Sequence, residues 1–133
     1  MAENIKFEVV TPEKLVVNEN AQIVVAPGAL GEFGILSGHT PFLSTLKTGV
    51  IRYADEKGKD HYVFVSGGFA EALPDKVTVL AESAERKRDI DKERAEDSLK
   101  RAQERLAQGK RDNDMIRAEA ALQRAIWRLK MIG

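Results

Sequence analysis

DKERAEDSLKRAQERL at residues 91–106 and DMIRAEAALQRAIWRL at residues 114–129 are two versions of one text. Displaced by 23 positions, nine of the sixteen letters coincide: Asp91/Asp114, Arg94/Arg117, Ala95/Ala118, Glu96/Glu119, Leu99/Leu122, Arg101/Arg124, Ala102/Ala125, Arg105/Arg128 and Leu106/Leu129. A short polar stretch, AQGKRDN, lies between them. At about 100° per residue, Ala95, Leu99, Ala102 and Leu106 fall on one helical face, and Ala118, Leu122, Ala125 and Leu129 repeat it, joined by Met115 and Ile126. The repeat therefore predicts two helices packed face to face as a hairpin, with Gly109 permitting the reversal. Asp89 or Asp91 is placed to cap the first helix, and Asn113 or Asp114 the second. Half of the repeated seam positions are alanine, which buries little area, and isolated helices of this length are marginal in water. The expectation is a weakly held hairpin whose state a ligand or partner can switch.

Working outward, the zero net charge of the 133 residues conceals a division. Residues 1–84 carry 7 Lys+Arg against 11 Asp+Glu, and residues 85–133 carry 14 against 10, so a net −4 precedes a net +4. Every proline and eight of the ten glycines also lie before residue 84. Opposite charge and different punctuation imply two structural units, 1–84 and 85–133. The absence of cysteine excludes disulfides, a thiol nucleophile and a cysteine zinc site, and suits a reducing compartment. The opening MAENIKFEV has no apolar core of a signal peptide, and no run approaches the roughly 20 apolar residues of a membrane helix. The chain is expected to be soluble, though able to dock on a membrane complex.

The first unit reads as short strands: FEVV (7–10), AQIVVA (21–26), VIRYA (50–54), HYVFVSG (61–67), GFAEAL (68–73) and KVTVLA (76–81). DEKGKD (55–60) and Pro74-Asp75 are the expected turns. Strands at this spacing predict an antiparallel β-sandwich or barrel, so the fold class is α+β, a sandwich followed by a helical hairpin. Gly31-Glu32-Phe33-Gly34 lacks the Gly-Lys-Ser/Thr ending of a phosphate loop and reads as a turn. His39 and His61 stand apart without a Ser/Asp partner, which leaves His39 as a loop residue fixing its turn. Ser66-Gly67-Gly68-Phe69 joins two strands and is no nucleophile elbow. No catalytic constellation and no metal site are expected.

The arginines carry the sharper signal. Arg94, Arg101 and Arg105 lie within about 20° of one helical line, and Arg117, Arg124 and Arg128 repeat the arrangement. In the first helix Glu93, Asp97 and Glu104 lie close enough to neutralise the stripe. In the second no acidic residue follows Glu119, and Arg124 with Arg128 is an unrelieved i,i+4 like-charge pair. Such a pair suits an incoming phosphate or carboxylate, whose geometry matches the guanidinium fork. A small nucleic-acid- or anion-binding protein is the alternative reading, weakened by the acidic first unit.

GEFGILSGHTPFL (31–43), VSGGFAEALPDKVTVLAESAE (65–85) and DIDKERA (89–95) together resemble the epsilon subunit of F-type ATP synthases, in order, spacing and total length. Ser37 departs from the Pro frequent in the family before Gly-His. The resemblance implies a β-sandwich bound to the gamma stalk and the rotor ring of c subunits. It also implies a hairpin that either folds down or extends along gamma into the alpha/beta head, braking ATP hydrolysis. Such a subunit is non-catalytic, has no nucleic acid partner and does not insert into the membrane, and works peripherally at the cytoplasmic face of the bacterial plasma membrane. In some members the folded hairpin binds ATP through an Ile/Leu-Asp-x-x-Arg-Ala motif, matched here by Ile90, Asp91, Arg94 and Ala95. Glu85, Arg101, Arg124 and Arg128 fall on further residues lining that site, with the arginines directed at phosphates and the acids at adenine or ribose. No cofactor is required; a regulatory ATP is implied, with the role of Mg left open. Partner contacts are implied for Glu32 at the rotor ring, for His39, Pro41 and Phe42 near gamma, and for Arg124, Arg128 and Lys130 against acidic surfaces of the head.

Overall fold

The computed structural model describes residues 3–109 and 112–133, and the side chains of 112 and 113 lie outside that description. The chain divides into two compact units, Met1–Arg86 and Lys87–Gly133. The first is built from β1 (Ile5–Val10), β2 (Leu15–Gly28), β3 (Gly31–Leu36), β4 (Phe42–Asp55), β5 (Asp60–Leu73), β6 (Lys76–Ala81) and β7 (Ala84–Arg86). The second holds a 3-10 turn (Lys87–Asp89), α1 (Lys92–Gln108) and α2 (Asp112–Ile132). The expected boundary at 84/85 falls two residues early, because Glu85 and Arg86 are still paired to β5 opposite Phe64 and Val63.

The strands follow the order β1-β6-β5-β4-β2-β3, and β1 also pairs with β2, which closes the first five into a barrel-like sandwich. All pairings are antiparallel except β1 with β6. Inward positions alternate along each strand, and Ile5, Phe7, Val9, Val24, Ile35, Ile51, Tyr53, Val63, Val65, Val77 and Val79 form one interior. HYVFVSG and GFAEAL, expected as separate strands, are one strand, β5. Gly67 and Gly68 bend it at φ 105° and 132°, and a side chain at Gly68 would collide with the Leu80 carbonyl. The bend lets β5 pair with β6 from Gly68 onward and with β7 before it.

Gly31-Glu32-Phe33-Gly34 is not the expected turn. It opens β3, which pairs with β2 from Gly28↔Gly31 to Ile23↔Leu36. The turn is Ala29–Leu30, and the close approach of Gly28 to the Gly31 carbonyl leaves no room for a side chain at Gly28.

In the second unit Asp91 is the N-cap of α1, its side chain accepting from the Arg94 backbone N–H at 3.1 Å. Gly109 ends the helix in the left-handed conformation at φ 58°, its N–H donating to the Leu106 carbonyl. The second helix starts at Asp112, ahead of the expected cap at Asn113 or Asp114; the side chain of Asn113 lies outside the described residues. Among the described residues, the fully buried side chains of the hairpin are Ala95, Ala102, Ala118 and Ala125, while Leu99, Leu106, Leu122 and Leu129 are half-buried.

Candidate functional site

The arginines of the hairpin inherit their placement from that alanine seam. Arg94, Arg101, Arg117 and Arg124 each precede one of the four buried alanines by one residue. Two antiparallel copies of one helix are related by a twofold rotation perpendicular to the plane of the hairpin. Equivalent positions beside the seam therefore emerge on the same face. Four guanidinium positions thus share one face. The antiparallel run brings Arg94, near the start of α1, level with the end of α2 that carries Arg124 and Arg128.

Among the described residues, the side chains of Arg94 and Arg124 enter no ion pair or hydrogen bond. Arg101 donates from Nη2 to Ser98 Oγ at 3.2 Å, so the neutralisation expected from Asp97 and Glu104 does not take the form of direct pairing there. The ion pair present on α1 is instead Lys92–Glu96 at 4.0 Å. Asp91 and Arg94 meet through a backbone cap rather than the side-chain ion pair that their i,i+3 spacing permits. Only Oδ1 of Asp91 is used by the cap. Ile90 is half-buried just before it, and Ala95 belongs to the seam. Lys130 lies over the Trp127 ring at 4.7 Å from its centroid. Glu85, which the sequence groups with the helices, sits in β7 of the first unit. The set fits a polyanion on chemical grounds: several unpaired or lightly engaged guanidiniums on one face, beside a carboxylate with a spare oxygen.

In the first unit, Glu32 is exposed on β3, next to the turn bearing the fully exposed Leu30. His39 follows Gly38, whose φ of 84° and N–H bond to the Pro74 carbonyl fix the loop. The His39 ring contacts the Thr40 carbonyl through Nδ1 and packs edge-on against Phe42 at 5.3 Å. Phe42 in turn meets Phe33 at 5.3 Å. Phe42 is 39% exposed, so it lies at the surface and not in the core. Pro41 is exposed beside it. The buried Nε2 of His39 lacks a hydrogen-bond partner among the described residues.

Two arrangements escaped the sequence reading. Register aligns Thr45, Phe69, Leu80, Val10 and Leu15 in one row across the outer face of β4, β5, β6, β1 and β2. Phe69, Leu80 and Leu15 are at least half exposed there, and Leu43 is exposed in the adjacent row. Strand periodicity signals that one face is buried without saying which neighbours line up on the other; only the register does.

The second arrangement is a polar cluster at the end of β7. Arg86 donates to Glu19 Oε1 at 3.0 Å, to Tyr53 Oη at 3.0 Å and to the Val16 carbonyl at 3.3 Å. Burial pushes the Tyr53 phenol above its ordinary range, opposed by the Arg86 charge. Tyr53 stacks on His61 at 5.0 Å, and His61 Nε2 meets Asp55 Oδ2 at 2.8 Å. That contact, with the Lys59 and Lys57 backbone N–H groups on Oδ1, holds Asp55 below the usual carboxylate range. These partners lie 33 to 70 residues from Arg86, beyond any local signal.

Fold and site together define a β-sandwich module with a cationic helical hairpin at its C-terminal side. The model of the ATP synthase delta/epsilon chain β-sandwich domain matches residues 4–87, and that of the long α-helix domain matches residues 88–133. The ATP synthase epsilon chain of Desulfosudis oleivorans is 62% identical over 109 residues, covering 82% of each chain. That of Desulfatibacillum aliphaticivorans is 64% identical over 106 residues, covering 80% of this chain and 75% of its own. A chain in the Euglena gracilis mitochondrial ATP synthase structure containing OSCP, F1 and c-ring shares the fold at a TM-score of 0.81, with 24% identity over 92% of this chain and 78% of that one. The chain belongs to the ATP synthase delta/epsilon chain family. Among the described residues no helix is long and apolar enough to cross a membrane.

Proposed function

We propose that this chain works as the epsilon subunit of the central stalk of a bacterial F-type ATP synthase, a non-catalytic part on the cytoplasmic side of the membrane that couples the head to the rotor ring. The sandwich docks on gamma through the exposed row of Phe69, Leu80 and Leu15 with Leu43, and through Phe42, Pro41 and His39 at the start of β4. Glu32 and the neighbouring Leu30 turn are offered to the polar loops of the ring. Such a face has the apolar content of a protein interface and charged residues at its margin, Glu8 bridging Lys6 and Lys76 at 3.5 Å each.

The hairpin is the regulatory element. In its closed form it takes ATP, with Arg94, Arg101, Arg124 and Arg128 on the phosphates, Asp91 and Glu85 as acceptors for adenine or ribose, and Ile90 and Ala95 setting the start of the site. Extended, it presents Arg124, Arg128 and Lys130 to acidic surfaces of the alpha/beta head and brakes hydrolysis. ATP binding only the closed form then draws the hairpin away from inhibition. The observation that carries this reading is the convergence of the arginines on one face through the alanine seam.

Trp127 is the only tryptophan and lies between Arg124 and Arg128 under the Lys130 ammonium, so its fluorescence reports this site. Titration of the isolated chain with ATP should change its emission to saturation, and Arg124→Ala with Arg128→Ala should abolish the change and weaken inhibition of the assembled enzyme. A flat titration confirmed by calorimetry removes the nucleotide site. Lost ATP binding with inhibition intact removes the dual role of the two arginines.

A further inference from the structure

The strand β7 is three residues long, about half the usual length, and its pairing with β5 at Val65↔Ala84, Phe64↔Glu85 and Val63↔Arg86 is little to hold a chain end. Its upstream end is tied by a serine pair. The Ser83 hydroxyl donates to Ser66 Oγ at 2.8 Å, and the Ser83 N–H donates to the same oxygen at 3.1 Å. Its downstream end is tied by the Arg86 side chain, which is 18% exposed and bonds to groups of β2 and β4. A nearly buried guanidinium satisfied by a carboxylate, a phenol and a carbonyl is costly to dislodge, because its charge and theirs would lose their partners together. One residue later the character changes. Lys87, Arg88 and Asp89 are exposed in a single 3-10 turn closed by the Ile90 N–H on the Lys87 carbonyl, and Asp91 then caps α1.

We propose that Arg86 is the anchor that ends the sheet, so that local opening of the chain begins at Lys87–Ile90 and not within β7. The Arg86 side chain reaches across two strands and locks β7, which holds Glu85 in the sheet. The anchor itself does not depend on the proposed function.

Hydrogen exchange of the full-length chain without nucleotide tests it, so the outcome is separate from whether ATP binds. Amides of Ala84–Arg86 should exchange slowly, with a sharp rise at Lys87–Ile90. In Arg86→Gln the 84–86 segment should exchange roughly tenfold or more faster while β1 to β6 keep their protection. Unchanged protection of 84–86 in the variant, or exchange there already as fast as at 87–90 in the native chain, overturns the proposal. Should Arg86→Gln lose protection throughout the sheet, Glu19→Gln decides. It removes the counter-charge and keeps the shape, so selective loosening of 84–86 supports the anchor and native protection there refutes it.

Discussion

The sandwich and the hairpin are held by different materials. The interior of the first unit is a continuous cluster in which Phe7 and Tyr53 meet at 4.9 Å amid buried Ile and Val side chains from every long strand. Among the described residues, the fully buried side chains of the second are four alanines, flanked by half-buried leucines. At about 0.8 kcal/mol per buried carbon, the alanine methyls contribute roughly 3 kcal/mol, to which the partly buried leucines add, so a single bound ligand is a sizeable fraction of what holds the helices together. The comparison teaches where each unit can be useful. A unit with a deep core serves as a fixed mount, and one with a thin seam of small residues can be opened and shut.

The strongest way to break this contrast is to remove a ring from the mount. Phe7→Ala should cost the sandwich about 3–5 kcal/mol, read from chemical denaturation, while the helical signal of the hairpin is lost at the same denaturant concentration as in the native chain. If both signals vanish in one transition, the units are not energetically separate. The next test fills the seam. Ala102→Leu forces the helices apart and should lower hairpin stability by about 1–3 kcal/mol, seen as helical circular dichroism lost at lower temperature with the sheet transition unmoved. Should the hairpin become more stable, its alanines are gaps and not a close-approach device.

The smallest effect belongs to the turn of the sandwich. The depressed Asp55 carboxyl contributes stability that is present above the unfolded carboxylate range near pH 4 and is lost as pH falls through its lower folded value. Asp55→Asn should therefore lower the melting temperature slightly at neutral pH, and its difference from the native chain should shrink steadily below about pH 4. A difference independent of pH would show that Asp55 acts only as a turn-former.

Much of this was readable in the chain, and the failures have a common cause. Tyr62 to Val65 and Val77 to Leu80 alternate openly, and the helical repeat announces itself. The opening of β3 is masked because Gly31 and Gly34 supply two of its first four residues. The start of β2 is masked because Asn18, Glu19 and Asn20 look like loop, yet Val17 and Ala21 point into the core. For β7 there was nothing local to read, since Ala84-Glu85-Arg86 becomes strand through bonds to residues far back in the sequence. The arginine motif was legible as spacing, and its shared face became visible only once the alanines were known to be the seam. The outer apolar row depended wholly on register.

That shared face has an electrical side. The packed hairpin gathers positive charge from both helices onto one surface, so its pairing works against its own field. Dissolved ions set how far that field reaches: about 30 Å at 0.01 M salt and about 8 Å at physiological strength. The stability of the packed hairpin should thus rise with ionic strength, and a polyvalent anion lodged on the face would do locally what bulk salt does diffusely.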